Sequence, residues 1–255
     1  MKKYIVVTIA LLIASTSSVL AWGPTGHRAM GLVAEKHLSR KAKRAMTRLL
    51  QGESVAMTST WMDEIRSDST YDYASDWHWV TIPDGQTYEQ SEKNPKGDVI
   101  ATIERIVIEL KSRKFSGKEE VERLKMLIHL IGDIHQPLHV GRGPDRGGNN
   151  VKIMWFRAES NLHRVWDSDM IDDKNLSYSE LAEWLGQPSD QDLEKWQKSS
   201  VREWAAESIS YRKQVYDYGD GSIGYRYSYK HFHIVKLRLL QSGVRLASVL
   251  NSIYG

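Results

Sequence analysis

Cysteine is absent from the 255 residues. That excludes disulfides and thiolate metal sites, so the fold must be held by its core or by metal bound through nitrogen and oxygen. An excess of one charge is missing too. Lys and Arg number 35 against 32 Asp and Glu, and 33 against 32 once Lys2 and Lys3 are set aside, so bulk charge gives no argument for nucleic acid or membrane. Beyond residue 21 no apolar run is long enough to span a bilayer. No linker, low-complexity tract or internal repeat divides the chain, and the glycine-rich stretch 141–150 lacks the lysine-serine pair of a nucleotide P-loop.

What is present begins with a leader. Lys2 and Lys3 form a basic head, Ile5 to Ile13 an apolar run, and Val19-Leu20-Ala21 a small-residue cleavage site, which together predict a signal peptide over 1–21. The mature chain then starts at Trp22 as one exported domain over 22–255, periplasmic or extracellular, monomeric and without stable membrane association.

The chemistry is concentrated in Met126–His139. The pattern is helical to Ile134, so His129 and Asp133 project one turn apart on one face. Pro137 cannot continue the helix and returns His139 toward the same place. Leu127, Ile128, Leu130, Ile131 and Ile134 bury this helix, and buried charge is costly unless paired or bound to metal. For this stretch alone, metal binding and mutual hydrogen bonding both fit. A second i,i+4 pair, His163 and Asp167, and a His five residues after the expected terminus, His27, favour metal. The candidate set is Trp22, His27, Asp63, His78, His129, Asp133, His139, His163 and Asp167. His37, His135, His231 and His233 are assigned to surface or packing.

Periodicity predicts a mainly α domain with a small β element. Helices are expected from Thr25 or Gly26 to Leu38, from the Ser39 cap to Leu50, over Val55–Ile65 and over Asp98–Leu110. A helix capped by Ser116 carries the central stretch. Further helical spacing covers Asn161–Met170, Ser179–Leu185, Leu193–Tyr216 and Tyr229–Ile253. Residues 71–94 read as a functional loop with a short strand within Trp77–Ile82, and Val151–Phe156 as the clearest strand. Tyr71, Tyr73, Trp77, Trp79 and Tyr88 crowd that loop, either as stacking platforms for unpaired bases or as core.

Four motifs carry a resemblance. Trp-Gly-x-x-Gly-His at Trp22–His27, Trp-Met-Asp at Trp61–Asp63, His-x-x-x-Asp-x-x-x-x-x-His at His129–His139 and Asn-Leu-His-x-x-Trp-Asp at Asn161–Asp167 make the chain similar to the zinc-dependent single-strand nucleases of the mung bean type. These enzymes share a helical fold with zinc phospholipase C. The resemblance implies a compact helical domain with a small β hairpin, three zinc ions, endonucleolytic cleavage of single-stranded DNA and RNA, and removal of 3′-phosphate from 3′-nucleotides. It assigns Asp63, His78, His129 and Asp133 to one zinc. The α-amino group and carbonyl of Trp22 with His27 and Asp133 hold a second, and His139, His163 and Asp167 the third.

Metals sharing a carboxylate can supply hydroxide at neutral pH, and a third can neutralise the leaving oxygen, so Asp133 and no separate base carries the chemistry. Arg66, one turn after Asp63, is the expected partner of the phosphate oxygens. The chain departs from the family in substrate positions: Thr81 stands where many members have an acidic base-reading residue, with Asp84 close enough to compensate, and Ser168 stands where many have Asn. A zinc phospholipase C and an exported zinc-binding module without turnover are the competing readings. The first calls for an exposed apolar rim, and the second for a closed four-ligand site.

Overall fold

The computed structural model describes residues 22–255; the expected signal peptide, 1–21, lies outside the described residues. Pro24 opens α1 (Pro24–His37) at a position where its missing N–H has no helical partner to lose. Ser39 caps α2 (Arg40–Leu49) by accepting from the Ala42 amide. The two long helices under the site are α5 (Val99–Lys111), capped by Asp98, and α6 (Lys118–Asp133). On α6, Leu124, Met126, Leu127, Ile128, Leu130 and Ile131 are fully buried, each contributing roughly 1.5–3 kcal/mol. That apolar anchorage offsets the cost of bringing His129 and Asp133 inside with them.

Several expected helices are divided, each for a local reason. Val55–Ile65 splits into α3 (Val55–Thr58) and α4 (Trp61–Glu64). At the break, Ser59 Oγ donates to the Ala56 carbonyl and Thr60 Oγ1 to that of Met57, offering the backbone an alternative to the helix. The expected loop contains a 3₁₀ run, Ser69–His78, started by the Asp68 side chain on the Thr70 amide. Gly117 at φ 59°, not Ser116, is the residue before α6. Asn161–Met170 becomes α7 (Leu162–Arg164), a π-helical turn Val165–Asp169, and α8 (Met170–Asp172).

After α9 (Tyr178–Trp184), the expected helix over Leu193–Tyr216 appears as α10 (Asp190–Lys198), α11 (Val201–Ser210) and α12 (Arg212–Val215). Ser200 forms a capping box with Glu203 and so starts α11 afresh. The last helix, α13 (Tyr225–Tyr254), packs along α1 and also touches α2, α5, α6 and α10.

Among the described residues, five short strands complete the mainly helical fold. β1 (Val80–Thr81) pairs in parallel with β2 (Val140–Gly141). β3 (Lys152–Trp155) and β4 (Ala158–Asn161) form the hairpin, and β5 (Ser222–Ile223) adds to β3 in parallel. The β1/β2 pair bears on the site, because it fixes the two segments that immediately follow His78 and His139.

Candidate metal centre

The last residue of α6, Asp133, is fully buried and is approached from three elements. Its Oδ2 lies 2.8 Å from His78 Nδ1 and 3.3 Å from His129 Nε2, and its Oδ1 lies 3.3 Å from His27 Nε2. Asp63, from α4, brings Oδ1 to 3.8 Å from His129 Nε2. On the other side, His163 Nε2 stands 3.0 Å and His139 Nε2 3.9 Å from Asp167. Candidate ligand atoms converge in three groups: His27/His129/Asp133, Asp63/His78/His129 and His139/His163/Asp167.

The imidazoles are aimed by the backbone. His129 Nδ1 donates to the Ser59 carbonyl, His139 Nδ1 to that of His78 and His163 Nδ1 to that of Gly147, each at 2.7 Å. A carbonyl can only accept, so Nδ1 carries a proton in each ring and Nε2 is the nitrogen turned to the site, as metal-binding histidines are commonly held. The break that ends α3 thus frees the Ser59 carbonyl for His129. The π-helical turn holds Asp167 against His163.

Two glycines make these approaches possible. A Cβ on Gly132 would stand 2.8 Å from His27 Cε1 and Nδ1. Gly147 has φ 60°, and a Cβ there would meet the Leu138 carbonyl oxygen at 2.4 Å.

The donor set fits a metal held by nitrogen and oxygen. Both ring nitrogens of His27, Asp63 Oδ1, Asp133 Oδ1 and His139 Nε2 are buried without a hydrogen-bond partner, a state that calls for an ion. His27 Nε2 is close to Asp133 but lacks hydrogen-bond alignment. Burial keeps His27 and His78 below the usual imidazole range and pushes His139 down to about 3, so these rings are neutral at neutral pH. Burial also opposes charge on His129, but Asp133 and Asp63 outweigh it and raise the group to about 9. Asp167 is pushed up to about 6 by burial, and Asp133 lies well below the carboxylate range because its imidazole neighbours outweigh burial.

Trp22 is fully buried, and the Gly23 amide next to it donates to the Asp167 carbonyl at 2.7 Å, which ties the start of the described chain to the third group.

A cleft of about 500 Å³ opens beside these groups. His78 and His163 lie in its wall with Arg66, Tyr71, Trp79 and Thr81, and Arg146 and Asn149 face it from the glycine-rich loop. Arg66 Nε is 3.6 Å from Asp63 Oδ1. Of the crowded aromatics, Tyr71 and Trp79 line the cleft. Trp77 is core, its indole donating to the Lys96 carbonyl, Tyr73 packs edge-on against it, and Tyr88 donates to buried Asp98.

Two expected substrate residues lie elsewhere. Asp84 is taken by Arg212 Nη1 at 3.0 Å, and Ser168 packs against Gly23; neither is among the residues that line the cleft.

Sequence reasoning missed Gln136, whose side-chain amide donates to Asp167 Oδ1 while its oxygen accepts from the Leu138 amide. It also missed Arg212. This buried guanidinium donates to the carbonyls of Ile82, Val140 and Gly141, and so clamps the ends of β1 and β2 behind His78 and His139. Gln136 sits beside a proline turn between two ligand candidates, a usable signal. Nothing local marks Arg212. His135, assigned away from the metal face, donates to the Ile131 carbonyl and accepts from Arg245.

The fold and site define a class: a mainly helical enzyme of the zinc phospholipase C-like architecture, with buried His/Asp groups beside a cleft. The sequence model of the S1/P1 nuclease family matches residues 22–255. Endonuclease 3 of Arabidopsis thaliana is 32% identical, with 98% of this chain and 94% of that protein covered. Endonuclease 4 of the same plant is 30% identical over 96% and 93%. Nuclease P1 of Penicillium citrinum is 27% identical over 76% and 70%. The chain belongs to the S1/P1 nuclease family, whose members are zinc-dependent enzymes acting on phosphodiester bonds with a preference for single strands.

Proposed function

We propose that the chain is an exported endonuclease and 3′-nucleotidase that cleaves single-stranded DNA and RNA with three zinc ions. The observation that carries this reading is three buried His/Asp groups, two of them sharing His129, with His78 and His163 reaching the wall of a cleft.

Asp63, His78, His129 and Asp133 would hold one ion, the Trp22 terminus with His27 and Asp133 a second, and His139, His163 and Asp167 the third. Zinc bound there supplies Lewis acidity toward phosphate oxygens and activates water at neutral pH. The protein's own part is to orient and to exclude. Asp133 presents one oxygen to each of two groups, and Gln136 holds the Asp167 carboxylate in place. Arg66, at the cleft wall, donates to equatorial oxygens of the scissile phosphate, where charge gathers in the transition state. Tyr71 and Trp79 offer faces on which unpaired bases stack, a contact a paired base cannot make without leaving its duplex. Thr81 offers a hydroxyl to a base edge. It is the one of the three expected base-reading positions that lines the cleft, and a hydroxyl that both donates and accepts implies weak base preference.

The α-amino group of Trp22 can ligate only after cleavage following Ala21, so maturation would assemble the second position. One assay separates this reading from a lipid phosphodiesterase and from a binding module. The mature protein is incubated with single-stranded DNA, RNA, a 3′-mononucleotide and phosphatidylcholine, with and without chelator. Chelator-sensitive hydrolysis of the first three is expected. Turnover of phosphatidylcholine alone, or of nothing, would overturn the proposal.

A further inference from the structure

The near-neutral chain hides a concentration of one charge. The helix α2 reads Arg-Lys-Ala-Lys-Arg-Ala-Met-Thr-Arg-Leu, with no acidic residue. Ala42 and Met46 face the core, while Arg40, Lys41, Lys43, Arg44 and Arg48 are exposed. Lys41 donates to the Gly255 carbonyl, and among the described residues Arg44, Arg48 and Arg113 form no ion pair with a carboxylate. These last three cations, with Lys41 and Tyr254, line a hollow of about 410 Å³. The carboxylate at its rim, Glu120, accepts from Tyr254. Three guanidiniums that form no such ion pair face one hollow, its rim carboxylate bonded to Tyr254 instead, and such a concentration of like charge attracts a polyanion.

The position of the hollow gives it a use. Tyr254 touches Glu120 in the first turn of α6, whereas Asp133 ends the same helix. Thirteen residues at ~1.5 Å each put about 20 Å between the hollow and the metal centre. A strand rising ~3.4 Å per nucleotide cannot join the two with fewer than about six nucleotides, and needs more along the surface.

We propose that Arg44, Arg48 and Arg113 form a docking site for the sugar-phosphate backbone of long single-stranded substrates, remote from the cleft. It rests on the reading that nucleic acid is the substrate. Short substrates occupy the cleft alone. Long ones are also held at the hollow, so the enzyme works faster on long strands at low salt, and this advantage vanishes as salt rises.

The test compares the zinc-loaded wild type with Arg44→Gln/Arg48→Gln/Arg113→Gln. All three positions are exposed, and a thermal melt checks that the fold is intact. A dinucleotide and a fluorescent single strand of ~30 nucleotides serve as substrates across a salt series. For the long strand, kcat/KM should fall about tenfold at low salt. Its slope against log salt should flatten by about two, since each lost contact removes ~0.7. The dinucleotide should respond to neither, and Arg→Lys at the same three positions should restore the long-strand rate.

Equal long-strand kinetics in wild type and Gln variant would overturn the docking site. So would loss of binding to phosphatidylglycerol vesicles with the oligonucleotide unaffected, because the partner would then be lipid. A wild type that hydrolyses neither substrate, yet binds the long strand in a way the Gln variant does not, would sink the nuclease reading and leave the docking site standing.

Discussion

Replacing Gly132 by Ala sets a favourable local effect against an unfavourable tertiary one. Gly132 lies inside α6, where Ala is worth ~1 kcal/mol more than Gly to an isolated helix. The added methyl, however, would stand 2.8 Å from His27 Cε1 and Nδ1 and 3.0 Å from Met30 Cε. The Met30 terminus can swing away. The His27 ring cannot, because its far face stacks on His129 at 4.1 Å and 15°, and His129 is bonded to Ser59. Relief to an ordinary contact near 3.5–4.0 Å needs a displacement of about 1 Å. Overpacking of this kind costs ~1–3 kcal/mol, so stability should change by only ~0–2 kcal/mol after the helix gain. The site should suffer far more, since a 1 Å misplacement can cost ~10²-fold in rate. Metal analysis, a thermal melt and kcat/KM on a dinucleotide should therefore give about one zinc fewer per chain, a small shift in Tm and a large loss of rate. Full zinc with activity within about twofold of wild type would refute the argument that α1 and α6 approach closely in order to place His27.

Three further outcomes follow. Arg66→Ala should lower turnover by ~10²–10³-fold while zinc content stays at the wild-type value, and a matching loss of zinc would reassign Arg66 from phosphate to metal support. A Gly-Ser extension before Trp22 should abolish most activity with one zinc lost, and proteolytic restoration of Trp22 should recover both; an extended form with full zinc would show that the terminus is no ligand. The group at His139, His163 and Asp167 should release zinc on acidification. Asp167 in the metal-free protein holds its proton up to about 6, so protonation competes with metal below that pH, whereas His139, pushed to about 3, stays neutral. The same shift has a stability sign. A carboxyl raised above its unfolded value contributes most at low pH and loses that contribution as pH rises toward 6. At neutral pH the metal-free fold therefore carries a buried Asp167 anion at a cost of about 3 kcal/mol. Zinc titrations between pH 5 and 7.5 should show affinity falling about tenfold per unit below pH 6. Constant affinity would contradict this.

How much of this was legible in the chain depended on sequence distance. His129, Asp133 and His139 could be read because helical spacing and Pro137 bring them together within one short stretch, and His163 and Asp167 because they are four apart. That His129 and Asp133 meet His27, Asp63 and His78 came from family motifs, for no periodicity relates α1 to α6. The break at Ser59 was hidden because each of Thr58, Ser59 and Thr60 is tolerated in a helix. Only their side-chain bonds to the preceding turn, and the demand of His129 for the Ser59 carbonyl, make the break necessary. The π-helical turn at Val165–Asp169 keeps a spacing that reads as an ordinary helix. Asp84 looked available for a base because it follows Thr81 closely, but its partner, Arg212, is 128 residues away. Gly132 looked like a weak point in a helix until His27 was seen against it.

The central claim is that Asp133 and its neighbours hold a zinc cluster that performs phosphodiester cleavage. The direct measurement is zinc per chain by mass spectrometry on protein beginning at Trp22, paired with hydrolysis of single-stranded DNA before chelation, after it and after zinc is returned. Close to three zinc ions per chain, with cleavage abolished by chelation and recovered with the metal, is the predicted result. A content of one ion or none, or undiminished cleavage once the metal has been removed, would contradict the account.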